Sequence, residues 1–352
     1  MEKTPLERHL AMGEPTTTAA VPAARPAVTA EELQSHCATV VGALSRGRLV
    51  PFLGAGANLC DRPESTTWRR DQSEQLPAGG ELAQHLATLF RYPGTERELA
   101  RVSQYAAVMN GTGPLYDELR LLFDADYPVN SLHASLASWP AMLRDKGYPR
   151  TTDPFRRRLL AVTTNYDDLL DRAFLAAGEP CHLVWYMADG EHRGRFFHRS
   201  PDGEVHAVEQ PNSYQRLQGD THPVVLKIHG GLDRRDASRD SFVITEDHYI
   251  DYLSRTDVED LIPVPLPAML RNSHLLFLGY GLQDWNLRVI LHRIWGDRKL
   301  SWKSWAIQRT PDMLEKEFWR QRGVDILAVP LRQYVASLAA AVGELKPAGA
   351  PA

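Results

Sequence analysis

Four times in this chain an apolar run breaks into a short loop rich in glycine or amide side chains and then resumes at helical spacing. The clearest case is Ala161-Val162-Thr163-Thr164-Asn165-Tyr166-Asp167-Asp168-Leu169-Leu170. Upstream, Arg156 to Val162 reads as a short buried parallel strand. Downstream, Leu169, Leu170, Ala173 and Phe174 recur at helical spacing, while Asp168, Asp171 and Arg172 fall on the opposite face. Strand gives way to helix within about four residues, the usual length of a βα loop. Such a loop lies at the carboxyl edge of the sheet, where open α/β folds bind ligands. Asn165 and Asp167 on that edge either point into the crevice or cap the helix, a role Asn and Asp fill well.

The other three steps follow the same pattern. Leu49 to Leu53 is a short apolar strand, followed at once by Gly54-Ala55-Gly56-Ala57-Asn58. Glycines after a strand admit positive φ and close backbone approach, and with a following helix start they cradle pyrophosphate. The third glycine of a dinucleotide fingerprint is missing, since Leu59 and Cys60 follow Asn58, so a tight turn without ligand is the competing reading. Pro223 to Ile228 is a buried strand ending at His229-Gly230-Gly231. A histidine there serves either as a reactive group at the edge or as a core residue bonded to backbone. Ser273 to Leu278 runs into Gly279-Tyr280-Gly281-Leu282-Gln283-Asp284, and Trp285, Val289, Ile290, Ile294 and Trp295 continue as helix. Ser304–Gln308 and Val324–Val329, with a helix from Met313 to Arg322 between them, supply two more strands, and Tyr334–Leu345 is a closing helix. Six strands mostly separated by helices predict a doubly wound, mostly parallel, Rossmann-like α/β sheet.

The remaining segments attach to that frame. Residues 1–29 are rich in Ala, Pro and Thr and read as a disordered tail. Thr29 with Glu32 makes a capping box for a helix whose stripe is Leu33, Cys37, Val40, Val41 and Leu44. Residues 60–150 predict a mainly helical insert, with helices at Glu81–Phe90, Leu99–Met109, Leu115–Phe123 and Ser131–Ser138. Gln104 faces either the crevice or, as surface glutamines do, the solvent. Residues 182–222 read as a hairpin and loop insert carrying His182, His192, His198, His206 and His222. Cys181-His182 has no close-spaced partner at ligand intervals, so these histidines read as solvated hairpin residues and no metal is expected. Thr245 caps a later helix, with His248 a poor fit to a capping box. One domain over 30–345, with a tail at 346–352, is expected.

Charge and cysteine usage narrow the partners. The formal net charge is −4, so no overall basic field recommends nucleic acid. No apolar run approaches the ~20 residues that span a bilayer. The N-terminus has no continuous apolar core of the kind a secretory signal needs. Cys37, Cys60 and Cys181 are scattered and form no CxxC, which argues for a reducing compartment, the cytoplasm by default.

Taken in order, Gly54-Ala55-Gly56-Ala57, Thr163-Thr164-Asn165-Tyr166-Asp167, Lys227-Ile228-His229-Gly230 and Gly279-Tyr280-Gly281-Leu282-Gln283-Asp284 resemble the sirtuin family, in its bacterial NAD-consuming branch. Leu53-Gly54-Ala55-Gly56 looks like the family's first phosphate loop, and Thr164-Asn165-Tyr166-Asp167 is similar to its Gln-Asn-x-Asp step, with Thr164 in place of Gln. His229-Gly230 matches the active-site histidine and glycine. The resemblance covers roughly residues 33–330. The paired CxxC motifs of protein-deacylating sirtuins are absent. So is the Pro-Asp-Phe-Arg segment after the first loop, where Asp61-Arg62-Pro63-Glu64 stands, and Asn58 replaces the usual serine.

The resemblance implies hydrolysis of NAD to ADP-ribose and nicotinamide by the toxic effector of a bacterial anti-phage system working by abortive infection. Such effectors are usually homo-oligomers held off until triggered, here with a separately encoded activator or partner such as an ATPase. Breaking an N-glycosidic bond to a cationic leaving group needs orientation and a nucleophile more than an acid. Asn165 would position the nicotinamide ribose and a water, and His229 would act as general base, with an ordinary pKa near ~6.5 suited to neutral pH. The resemblance assigns Asp167 to the nicotinamide carboxamide and the backbone of Gly54, Ala55 and Gly56 to the pyrophosphate, beside Ala57, Asn58, Thr164 and Gly230. Gly279, Gly281 and Asp284 would line the adenosine side, with Gln308 a further candidate. An NAD-dependent deacylase, a non-catalytic NAD or ADP-ribose sensor and a hydride-transfer dehydrogenase are the competing readings.

Overall fold

The computed structural model describes residues 28–254, 261–281 and 302–349. The tail over 1–27, the helix expected from Trp285 and the candidate Asp284 lie outside the described residues.

The strands are β1 (Leu49–Leu53), β2 (Leu160–Thr163), β3 (His182–Tyr186), β4 (Phe196–Arg199), β5 (Val205–Val208), β6 (Val224–Lys227), β7 (Gly230–Gly231), β8 (Ser241–Phe242), β9 (His274–Leu278), β10 (Ser304–Gln308) and β11 (Val324–Ala328). The described helices are α1 (Ala30–Ser45), α2 (Gly79–Leu89), α3 (Leu99–Asn110), α4 (Thr112–Phe123), α5 (Ser131–Asp145), α6 (Leu169–Ala176), α7 (Glu246–Ser254), α8 (Leu266–Arg271), α9 (Met313–Arg320) and α10 (Leu331–Gly343). Nine strands form one sheet in the order β11-β10-β9-β1-β2-β6-β3-β4-β5. Pairing is parallel from β11 through β3, and β4 and β5 add an antiparallel edge. The expected doubly wound α/β sheet is present.

Alternation along the central strands fills two cores. Leu49, Leu53, Ala161, Val225, Leu276 and Leu278 point to one face, under α1, α5, α6 and α10. Val50, Phe52, Leu160, Val162, Leu226 and Phe277 point to the other, under Leu266 and Leu270 of α8 and Trp319 of α9. Strands buried on both faces read as continuous apolar runs, which is why they were visible in the sequence. Pro51 sits inside β1 without breaking it. Leu53 O faces β2, so the N–H that Pro51 lacks also faces β2, and there the pairing begins only at Phe52. On the β9 side the register is complete from Leu49 to Leu53.

Several expectations need correction. β2 starts at Leu160, because Pro154–Arg157 forms a 3-10 turn. α5 runs through Pro140 to Asp145, held by the buried Leu136, Trp139 and Leu143 on either side of the proline. A single glycine, Gly111 at φ 85°, separates α3 from α4. The segment 182–222 is not a detachable hairpin: His182–Tyr186 is a parallel strand, and the later β6 slots between it and β2. The helical insert packs as a third cluster in which α2–α4 meet Tyr166, Leu169, Phe242 and Ile244. No described helix is long and apolar enough to cross a membrane.

Candidate functional site

Parallel pairing of β1, β2, β6 and β9 brings four loops to one carboxyl edge: 54–58, 164–168, 228–231 and the turn at Gly279. The first and last touch backbone to backbone. Gly54 N donates to Leu278 O at 3.0 Å and Gly56 N donates to Gly279 O at 2.9 Å. At Gly279, with φ +68°, a Cβ would stand 1.9 Å from Ala57 N and 2.4 Å from Gly56 C. These glycines therefore first make room for each other. Of the three amides expected at a pyrophosphate, those of Gly54 and Gly56 are engaged in holding the loop to β9. Ala55 opens the 3-10 turn Ala55–Leu59, where a helix start leaves donors unpaired, and it is exposed. Gly281 is different in kind: a Cβ there would meet nothing within 4 Å.

The central loop folds through its own hydroxyls and amides. Asn165 N donates to Thr163 Oγ1 at 2.9 Å, and Thr163 Oγ1 donates to Leu53 O at 3.2 Å. The Asn165 side chain donates through Nδ2 to Gly54 O at 3.1 Å, and its Oδ1 accepts nothing from the described residues. Asn58, on the first loop, donates to Asp167 Oδ2 at 2.7 Å, while Asp167 Oδ1 accepts from Leu169 N at 3.0 Å. Asp167, one residue before the N-cap Asp168, thus binds the first N–H of α6, and the Asn165 amide stays with Gly54. Thr164 receives the Tyr280 hydroxyl at 2.7 Å. Asn58, Asn165 and Asp167 are all buried.

β6 contributes a lysine and a histidine. Lys227 Nζ, fully buried, donates to Asp167 O at 2.7 Å and pairs with Asp171 Oδ2 at 3.0 Å. Burial raises the Asp171 carboxyl above its usual range, opposed by Lys227. His229 is 5% exposed, and Tyr249 and Tyr252 stand edge-on to its ring at 5.6 and 5.9 Å between centroids. Its Nε2 has no hydrogen-bond partner among the described residues. Burial lowers its pKa from 6.5 to about 3 rather than leaving it near the ordinary value expected from sequence. The imidazole is therefore neutral at physiological pH and presents an unpaired nitrogen. Gly230, at φ +81°, follows it because a Cβ would lie 2.3 Å from Ser241 O across the β7–β8 pair.

An open cleft of about 1350 Å³ lies beside this cluster, lined by Gly56, Gly279, Tyr280, Gln308 and, among others, Arg62 and Arg332. Asn165, Asp167 and His229 are not among its lining residues. Gln308 borders the cleft, with Nε2 on Glu315 Oε1 at 2.9 Å and on Tyr280 O at 3.4 Å.

Sequence reasoning missed the roles of Lys227 and Tyr280, which reveal themselves only when the loops are assembled. It also misjudged His248. Thr245 Oγ1 accepts from His248 N at 3.1 Å, while His248 Nδ1 accepts from Thr245 N at 3.4 Å, a reciprocal capping pair with imidazole in place of carboxylate. Nδ1 is thereby an acceptor, so Nε2 carries the proton toward Asp189 at 2.9 Å. Burial pushes the Asp189 carboxyl up, but hydrogen bonds from His248 and Tyr116 outweigh it and hold it below its usual range. Gln104 is neither in the crevice nor idle, since it bonds Asp247 on α7 at 2.8 Å. The histidines of 182–222 are not uniformly solvated: His182 and His198 are buried, while His222 is exposed.

The three cysteines offer no metal site of the paired CxxC kind, Cys37 and Cys60 being buried on separate elements. Residues 159–327 match the family model of the SIR2-like domain, a span that takes in Asn165, Asp167, His229 and Gly279. Defense-associated sirtuin 2 of Bacillus subtilis is 24% identical to this chain over 287 residues, which is 80% of the chain and 23% of that relative. The chain thus spans about a quarter of the length of the curated relative it matches. Over the β2, β6 and β9 loops that build the edge just described, the chain is similar to SIR2-like domains.

Proposed function

We propose that this chain hydrolyses NAD to ADP-ribose and nicotinamide, as the toxic effector of a bacterial anti-phage system acting by abortive infection. The observation that carries the reading is His229: a buried, neutral imidazole whose Nε2 has no partner among the described residues, at the carboxyl end of β6. Leaving a buried polar atom unpaired costs about 1–3 kcal/mol, so a group retained in that state is suited to a ligand's hydrogen-bond donor. Asn165 Oδ1 is a second acceptor on the same edge that receives nothing from the described residues. The two together suit a water and a ribose hydroxyl. His229 accepts a proton as the water oxygen bonds to the anomeric carbon, and the glycosidic bond breaks with its electron pair going to nicotinamide.

The cleft beside the buried cluster fits the ADP half of the substrate. Gly56, Gly279 and Gly281 keep its wall free of side chains, and Arg332 supplies positive charge for a diphosphate, Arg62 being paired with Glu81. The resemblance assigns Asp284 to the adenosine side, and that residue lies outside the described residues. The defence role is supported by the name of the Bacillus subtilis relative. A cytoplasmic homo-oligomer, switched by a separately encoded partner, completes the proposal.

The test is product analysis. Purified protein, dilute and concentrated, is incubated with NAD, and nicotinamide and ADP-ribose are resolved by chromatography. Asn165→Ala and His229→Ala each lower turnover by at least about tenfold while circular dichroism shows a folded protein. NAD loss at the wild-type rate in both variants overturns the assignment. Turnover that requires an acetyl-lysine peptide and yields acylated ADP-ribose moves the chain to deacylation instead.

A further inference from the structure

A second polar cluster lies at the opposite, amino edge of the sheet, independent of the NAD reading. His182 opens β3 and pairs in register with Val224, which opens β6, while Asp220 and His222 lie just before β6. The short link His182 N to Pro223 O, at 2.8 Å, fixes the two segments side by side. His182 Nε2 stands 2.8 Å from Asp220 Oδ2, and His222 Nδ1 stands 3.4 Å from the same oxygen. One ligand atom from each of the three residues falls within 4.8 Å of the others. In a tetrahedral site with bonds of about 2.0–2.1 Å, donor atoms stand about 3.4 Å apart. His222, 44% exposed, is the side chain free to close the remaining gap.

The buried surroundings order the first of these ligands. His182 Nδ1 is 2.8 Å from His198 Nε2, and His198 Nδ1 is 2.7 Å from the Tyr214 hydroxyl. A ligand imidazole characteristically uses its second nitrogen in this way, which fixes ring and tautomer. With a cation on His182 Nε2, His182 Nδ1–H donates to His198, and His198 Nδ1–H donates to the tyrosine oxygen. Without one, the same chain runs reversed and His182 Nε2–H donates to Asp220. The tautomers shift and the proton count does not change.

Arg158 selects among cations. Its guanidinium lies 3.5 Å from Asp220 Oδ1 and donates to the Asp220 carbonyl, which partly balances the carboxylate. Oxygen-seeking calcium or magnesium would find one shared carboxylate and a neighbouring positive charge. A borderline metal that favours imidazole finds two imidazole nitrogens.

We propose that His182, Asp220 and His222 bind one divalent transition-metal cation of the zinc class, with water as fourth ligand, clasping the β3–β4–β5 meander to the loop that enters β6. The site is structural, since the length of β3, about 16 Å, separates it from the loops carrying Asn165 and His229.

The experiment uses the untagged full chain, stripped with chelator and titrated with zinc, with retained metal counted by elemental analysis and cobalt absorbance reporting coordination. One equivalent per chain with tetrahedral cobalt bands, and a zinc-dependent rise in melting temperature, is the expected result. His222→Ala, on an exposed residue, and Asp220→Asn each weaken retention by at least about tenfold, while His206→Ala, outside the cluster, retains it. Absence of stoichiometric retention in the wild type, or equal retention in His222→Ala and Asp220→Asn, overturns the proposal.

Discussion

Gly279 and Gly281 look alike in sequence and should respond in opposite ways to an added methyl group. At Gly279 the backbone is left-handed, φ +68°, and the new Cβ would lie 1.9 Å from Ala57 N. An alanine in that conformation costs about 1–2 kcal/mol before any clash. The clash cannot be relieved by a side chain, since the opposing atoms are backbone of Gly56 and Ala57. Separating the loops to ordinary contact breaks the Gly56 N to Gly279 O bond at 2.9 Å, a further loss of about 1 kcal/mol. Gly279→Ala should therefore cost at least about 3 kcal/mol, whereas Gly281→Ala should stay within about 0.5 kcal/mol of wild type. Urea unfolding followed by circular dichroism measures both. Equal stabilities for the two variants, or a Gly279→Ala cost under about 1 kcal/mol, would refute the view that these loops are locked backbone to backbone.

Three further outcomes follow from the same geometry. Lys227→Met strands the Asp171 carboxylate and should cost about 3–5 kcal/mol, and adding Asp171→Leu should recover much of it; a double-mutant cycle without coupling counts against the buried pair. Asn58→Ala removes the donor to Asp167 and should cost about 1–3 kcal/mol. Asn58→Asp should cost more at pH 7, with part of the excess returning at pH 4 as one carboxylate takes a proton; an excess that ignores pH contradicts the contact. Because the His229 pKa falls from 6.5 to about 3, the unfolded chain binds its proton first and native stability falls as pH drops below 6.5. At pH 5 that loss is about 2 kcal/mol, and it should be absent from His229→Gln, as unfolding of both proteins at pH 7.5 and pH 5 would show.

The parts of the fold legible in the sequence were those whose signal is local. β1, β2, β6 and β9 are apolar on both faces, and the Thr29–Glu32 capping box that opens α1 is observed in full. What stayed hidden depends on partners distant along the chain. His182–Tyr186 carries the residues of a buried strand, yet its parallel partner β6 comes later, after two antiparallel strands, and nothing local separates that order from a hairpin. The same crossing gathers His182, Asp220 and His222, whose spacing matches no short metal motif. His248 misled for another reason: a neutral imidazole can accept backbone N–H groups as a carboxylate does, but only once its far nitrogen has an acceptor, here Asp189 on another segment. For the candidate site, chain order identified the loops and residue types, but not what their side chains do without a ligand.

That last point bears on how such a site operates. Asp167 has both oxygens committed, one to Asn58 and one to the start of α6. Asn165 spends its donor on Gly54, and Thr164 is held by Tyr280, which also lines the open cleft. These contacts close the polar edge on itself, leaving His229 Nε2 with no bond among the described residues. A nucleotide occupying the cleft and reaching His229 must therefore exchange internal hydrogen bonds for bonds to itself. The Tyr280–Thr164 contact lies where the cleft meets the loop of Asn165, so it is the bond to exchange first. Each bond exchanged returns about its own worth, so the exchange is nearly neutral in free energy.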